Sequence, residues 1–238
     1  MKGLSMKRIL LLIATVLVVS SVGWAGACGT ATMATYDAPG FSCSIGPLLF
    51  SGFSYVSVDS GGGFAPPDSG VAVMPLISGS ETGLQFIGAF LAGTAQTADG
   101  VIGYTVTCQG CQLTDWVLSM IAGAMGQGSA SVAEVTTDGQ SLFTFVGGGT
   151  FAFSDSGALT PASSAITVFK DIGASGGCIA LPAGGCEPNS GAGHVSVVDN
   201  LWSTSSVPEP ASLALLGTAL FGAGLLLRRR LHGDQSRS

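Results

Sequence analysis

Apolar and polar side chains alternate with a period of two through most of residues 49–202. In Leu49–Val58, Phe53, Tyr55 and Ser57 fall on one face and Ser54, Val56 and Val58 on the other. Leu113–Ile121 places Trp116, Leu118 and Met120 together. Val71–Ile77, Gly83–Leu91, Val101–Cys108, Ala130–Thr136, Ser141–Val146, Thr150–Ser154, Ile166–Ile172 and His194–Trp202 also have strand length. Breaks such as Gly61-Gly62-Gly63 and Pro66-Pro67-Asp68 separate them. Strands recurring every ~8–15 residues between turn signals predict an all-β domain, an antiparallel β-sandwich or jelly roll of about 9–10 strands.

Two uninterrupted apolar runs depart from this pattern, one at each end. Ile9–Val19 follows the positive residues Lys2, Lys7 and Arg8 and precedes the A-x-A sequence Ala25-Gly26-Ala27. This is the layout of a secretory signal peptide over residues 1–27, cleaved after Ala27, with translation starting at Met1 or Met6. Cleavage there would leave Cys28 first, but a lipobox has Leu where this chain has Ala25. At the other end, Ala211–Leu227 is seventeen uncharged residues bounded by Arg228-Arg229-Arg230. As a helix it would rise about 25 Å, close to the hydrocarbon thickness of a bilayer. The arginines keep that end cytoplasmic, so the body faces outward.

Val207-Pro208-Glu209-Pro210 immediately before the span, with the arginines after it, resembles the PEP-CTERM sorting signal of Gram-negative bacteria. The body is also similar to a group of PEP-CTERM proteins. The likeness rests on Cys43-Ser44-Ile45-Gly46 leading to Phe50–Tyr55, and on Ile102–Val106, Leu118-Ser119-Met120 and Lys170-Asp171-Ile172. The resemblance implies an exosortase-type sorting enzyme as partner, transient residence in the inner membrane, and delivery to the cell surface or an exopolysaccharide matrix. The same tail type occurs on some ice-binding and hydrolytic proteins, so it names no activity. The expected organisation is a signal peptide (1–27), a β-sandwich (28–202), a linker (203–207), a sorting signal (208–230) with its span at 211–227, and a cytoplasmic tail (231–238). A plain C-terminal anchor is the alternative to a cleaved tail.

Removing both ends changes the charge. Residues 28–207 contain one basic residue, Lys170, against twelve acidic ones, a net charge of −11 where the whole chain has −6. Such a domain is repelled by nucleic acid and by anionic membrane surfaces. All six cysteines, Cys28, Cys43, Cys108, Cys111, Cys178 and Cys186, lie in the exported part and read as disulfides. Fifteen pairings exist; the preferred one joins sequence neighbours, Cys28–Cys43, Cys108–Cys111 and Cys178–Cys186.

Candidate chemistry is sparse. Gly173-Ala174-Ser175-Gly176-Gly177 fits G-x-S-x-G, but a Gly-Gly-Cys loop follows where a nucleophile elbow needs a helix. His194 is the body's one histidine, so Ser–His and multi-histidine metal sites lack parts. Cys108-Gln109-Gly110-Cys111 lies between two strands and reads as a stapled turn; a redox pair or a zinc site with Cys178 and Cys186 is the alternative. Among the carboxylates, Glu81 and Glu134 are the first candidates for a glycosidase pair. Trp116 and Trp202 are candidate glycan contacts if exposed and core residues otherwise. The expectation is a non-catalytic, exported surface or matrix protein without cofactor or metal. A carbohydrate-binding module for matrix polysaccharide is the alternative, and a secreted hydrolase the third reading.

Overall fold

A computed structural model describes residues 25–206. The expected signal peptide before Ala25, the Val207-Pro208-Glu209-Pro210 segment, the expected span at 211–227 and Arg228–Arg230 lie outside the described residues. Fourteen strands form two facing sheets. The larger sheet has the order β1 (Gly26–Ala27), β3 (Ser42–Ile45), β4 (Leu48–Ser60), β7 (Thr97–Cys108), β13 (Ala165–Ser175), β9 (Ser129–Thr136), β10 (Ser141–Gly147), β11 (Thr150–Ala152). The smaller runs β12 (Ser154–Ser163), β8 (Cys111–Gly126), β14 (Gly191–Ser206), β6 (Glu81–Ala92), β5 (Ala72–Ser78), β2 (Ala31–Thr32). Only the short β1–β3 pairing is parallel. The architecture is the expected antiparallel sandwich, with more strands than the 9–10 expected.

The extra strands are those with weak patterns. In β12 only Leu159 is a buried hydrophobic; the rest of the strand is Ser, Asp, Gly, Ala, Thr and Pro. The segment expected as one strand, Thr150–Ser154, is divided: β11 ends in the larger sheet and β12 begins in the smaller. β4 corrects a second expectation. Phe50 and Phe53 are both buried although three residues apart, because the β4–β7 register shifts between Ser51 and Ser54. Gly52, at φ 63°, supplies the left-handed backbone of that bulge. β14 also runs through the expected 203–207 linker as far as Ser206, which pairs with Cys111.

Three disulfides staple the ends of the sandwich: Cys28–Cys43, Cys108–Cys111 and Cys178–Cys186, the nearest-neighbour pairing. Ala25 is half-buried, while Gly26 and Ala27 form an exposed edge strand beside Cys43 and Ser44. Among the described residues, a short α-helix, α1 (Met33–Tyr36), drops Tyr36 into the core between Phe41 and Phe53, with its hydroxyl donating to the Gly29 carbonyl at 2.6 Å. Burial of inward-facing Val, Ile, Leu and aromatic side chains, at about 25 cal/mol per Å², holds the two sheets together.

Candidate functional site

The middle of this apolar core is polar. Lys170, the body's single basic residue, points inward from β13 and is fully buried. Glu134 stands directly opposite it in the β13–β9 register, also fully buried, and the two form an ion pair. Asn200 reaches in from β14 of the other sheet. Lys170 Nζ donates to Asn200 Oδ1 at 2.8 Å, and Asn200 Nδ2 donates to Glu134 Oε1 at 3.3 Å and to the Val117 carbonyl at 3.1 Å. The Tyr104 hydroxyl also donates to Asn200 Oδ1, and Lys170 Nζ lies 5.3 Å from the Tyr104 ring centre. Four side chains from β7, β9, β13 and β14 thus close one network between the sheets.

Burial governs its electrostatics. It lowers the Lys170 pKa from the usual lysine value, against the pull of the Glu134 carboxylate. It raises that of Glu134, against Lys170, Asn200 and Trp116. It raises that of Tyr104 well above the usual phenol value, and the Glu134 charge adds to this. Desolvation thus works against both charged partners of the pair. The indoles of Trp116 and Trp202 sit beside Glu134 and Tyr104 and favour their ionised forms, yet neither Nε1 makes a well-formed hydrogen bond.

The tryptophans are therefore not a glycan platform. Each is 1% exposed, and the rings stack on one another at 6.2 Å inside the sandwich. Their strand parity matches Leu118 and Val198, both core residues, which explains the burial. Glu81 and Glu134 are not brought together: Glu81 lines a shallow groove with Asp115 and Ser156, while Glu134 is in the core. Ser175 ends β13 and Gly177 N–H donates to its hydroxyl at 3.3 Å; no helix follows it, so the elbow geometry is absent. His194 is exposed on β14. Cys108, Cys111, Cys178 and Cys186 pair in two separate disulfides, so the four sulfurs are not gathered into one zinc site.

The sequence singled out Glu134 only as a glycosidase candidate beside Glu81, and gave Lys170 and Asn200 no chemical role. A signal was present. Ile166, Val168, Lys170, Ile172 and Ala174 share one parity, so the lone lysine occupies an inward position. Asn200 likewise alternates with Val198 and Trp202.

Exposed aromatics do occur, elsewhere. Phe143 and Phe169 are 50% and 49% exposed on the outer face of the larger sheet, with Val135 between their strands. Phe145 packs on Phe143 at 5.7 Å. Asp99 and Asp171 lie on that face too, on neighbouring strands. Partial burial and the adjoining Asp171 push the Asp99 carboxyl up to about 6.

Comparison with known proteins decides the handling of the chain and leaves its ligand open. Residues 206–230 match the PEP-CTERM protein-sorting motif. The chain carries that sorting signal. It marks an exported protein, held in the membrane by its C-terminus before processing by an exosortase. No curated protein matches the chain. Among solved structures, the enzymatically active domain of bacteriophage CBA120 tailspike protein 4 aligns over 65% of this chain at 12% identity and a TM-score of 0.26. The chain spans only 20% of that tailspike chain. The module TmCBM61 in complex with β-1,4-galactotriose aligns over 61% of this chain and 86% of its own, at 6% identity and a TM-score of 0.26. A family 11 carbohydrate-binding module from Clostridium thermocellum, in complex with a β-1,3-1,4-mixed-linked tetrasaccharide, aligns over 64% and 91%, at 7% and 0.23. Likenesses this slight say nothing of a shared ligand.

Proposed function

We propose that this chain is a non-catalytic component of the bacterial surface or of an extracellular polysaccharide matrix, delivered there by its PEP-CTERM signal. The observation that carries the reading is the direct junction of domain and signal: β14 ends at Ser206 and the sorting motif starts at that residue. A rigid, acidic, disulfide-stapled sandwich handed straight to a sorting enzyme suits a displayed part. The carboxylates, histidine and serine that catalysis would need stand apart. The test is fractionation of the native host followed by mass spectrometry. A chain starting near Cys28, lacking Ala211–Ser238 and found at the surface or in the matrix supports the reading; an intact tail in the inner membrane favours a plain anchor.

A second reading is favoured by the outer face of the larger sheet. Phe143 and Phe169 are half-exposed aromatics of the kind that pack on the C–H faces of sugars, with Asp99 and Asp171 as acceptors for sugar hydroxyls. Under this reading the protein holds matrix polysaccharide there. A glycan array probed with the exported protein tests it. Saturable binding weakened at least tenfold by Phe143→Ala with Phe169→Ala supports polysaccharide binding; no binding to any polysaccharide leaves the purely structural role.

A further inference from the structure

We propose that Lys170 and Asn200 join covalently, through an amide between Nζ and Cγ, so that the two sheets are cross-linked across the core with Glu134 as the proton carrier. The placement is that of a reaction assembled in advance. The nucleophile, Lys170 Nζ, is 2.8 Å from the oxygen of the amide it would attack. Glu134 touches both ends of the exchange: one carboxylate oxygen pairs with Lys170 Nζ, the other takes the hydrogen bond from Asn200 Nδ2 at 3.3 Å. The Tyr104 hydroxyl donates to Oδ1, where negative charge would develop. Val117 fixes the amide from its far side through its carbonyl. All of this is closed off from bulk solvent, between sheets of a sandwich whose two halves sit about 10 Å apart, a gap that one lysine and one asparagine side chain bridge.

An ion pair alone accounts poorly for the arrangement. A buried Lys–Glu pair adds little net stability over an apolar pair of the same shape. It also does not require an amide from the opposite sheet to contact both partners. A domain with a single basic residue, placed at its centre beside a carboxamide and a carboxylate, fits bond formation better. Burial prepares the first step, because it disfavours both the ammonium and the carboxylate and so lowers the cost of passing the proton from Lys170 to Glu134.

The step balances without a cofactor. Glu134 takes one proton from the Lys170 ammonium. The neutral amine attacks Asn200 Cγ, forming the Nζ–Cγ bond and placing negative charge on Oδ1. Glu134 gives its proton to Nδ2, the Cγ–Nδ2 bond breaks and ammonia departs. Glu134 then takes the surplus proton from Nζ and ends as the neutral acid. Nothing is oxidised or reduced, and the chain loses one ammonia. The bond would tie β13 to β14, the strand that continues into the sorting signal six residues after Asn200. Tension from a surface attachment at that end would then meet a covalent stop.

The test is mass spectrometry of the full chain as exported, with disulfides reduced. The expected wild-type mass is one ammonia below that of the processed sequence. A chymotryptic digest should yield a branched peptide joining the Lys170 and Asn200 segments. Lys170→Arg and Glu134→Gln should each keep the full mass. The wild-type digest decides the matter even if both variants fail to fold. An unmodified wild-type mass overturns the proposal, and so does a loss of ammonia traced to a succinimide at any asparagine. A folded Glu134→Gln protein carrying the branched peptide in full yield would remove Glu134 from the chemistry.

Discussion

Lys170 and Asp171 are neighbours on one strand and occupy opposite worlds. Lys170 points into the sandwich, where Glu134, Asn200 and Tyr104 enclose it away from bulk solvent. Asp171 points out, where it shares the sheet surface with Asp99 and solvent. Each has an acidic partner across the sheet. Inside, the unreacted pair brings opposite charges together where desolvation is severe, so each partner depends on the other and neither can be removed alone. Outside, like charges meet where water screens them, so the pair perturbs a titration and little else. The pleat alone separates the two cases: one residue along the strand changes the solvent from protein to water.

The largest test of this contrast is Glu134→Gln against Asp171→Asn. Removing Glu134 leaves the lysine charge in the core without its counter-ion. The expected loss is about 3–5 kcal/mol, read from urea denaturation. Asp171→Asn should fall within about 0.5 kcal/mol of wild type at neutral pH. Equal losses would mean that the inner pair is not sealed from water. Next in size is Tyr104→Phe, which deletes only the hydroxyl that donates to Asn200 Oδ1. The oxygen keeps Lys170 as a partner, so the expected cost is smaller, about 1–3 kcal/mol. A loss as large as that of Glu134→Gln would show that the tyrosine, rather than the carboxylate, organises the network.

Much of this fold is written in the chain at short range. The period-two runs foretell β4 to β10, β13 and β14, because inward positions must be apolar for a sandwich to close. Cysteines close in sequence pair with each other because their hairpins and turns already hold them near. What escapes is whatever depends on how strands are ordered. Glu134, Lys170 and Asn200 are 36 and 30 residues apart, and nothing local says that β9 lies beside β13 or that β14 crosses opposite them. The parity of Lys170 says only that it points inward. β12 escapes for another reason: it covers the tryptophan layer with glycine and serine, Gly157 lying against the Trp116 ring, so it has no apolar alternation to read. The bulge at Gly52 does leave a trace, since a lone glycine within a strand pattern marks a place where alternation slips.

The smallest effect is on the outer face, and its sign is specific. Asp99 has a folded pKa of about 6, raised first by partial burial and then by Asp171. Its unfolded value is near 3.8, so between roughly pH 4 and 6 the folded state binds the proton more tightly than the unfolded state. The stability contributed by that bound proton is complete below pH ~4 and is lost as pH rises through ~6. Solvent screening at this half-open site keeps the change under about 1 kcal/mol. Asp171→Asn removes the like charge but leaves the burial. The difference in unfolding free energy between variant and wild type should therefore grow in the variant's favour from pH 4 to pH 7, while part of the Asp99 shift persists in its carboxyl NMR titration. A flat difference across that range would mean the two carboxyls do not sense each other. An Asp99 pKa restored fully to the ordinary value would mean that Asp171, and not burial, was the principal cause.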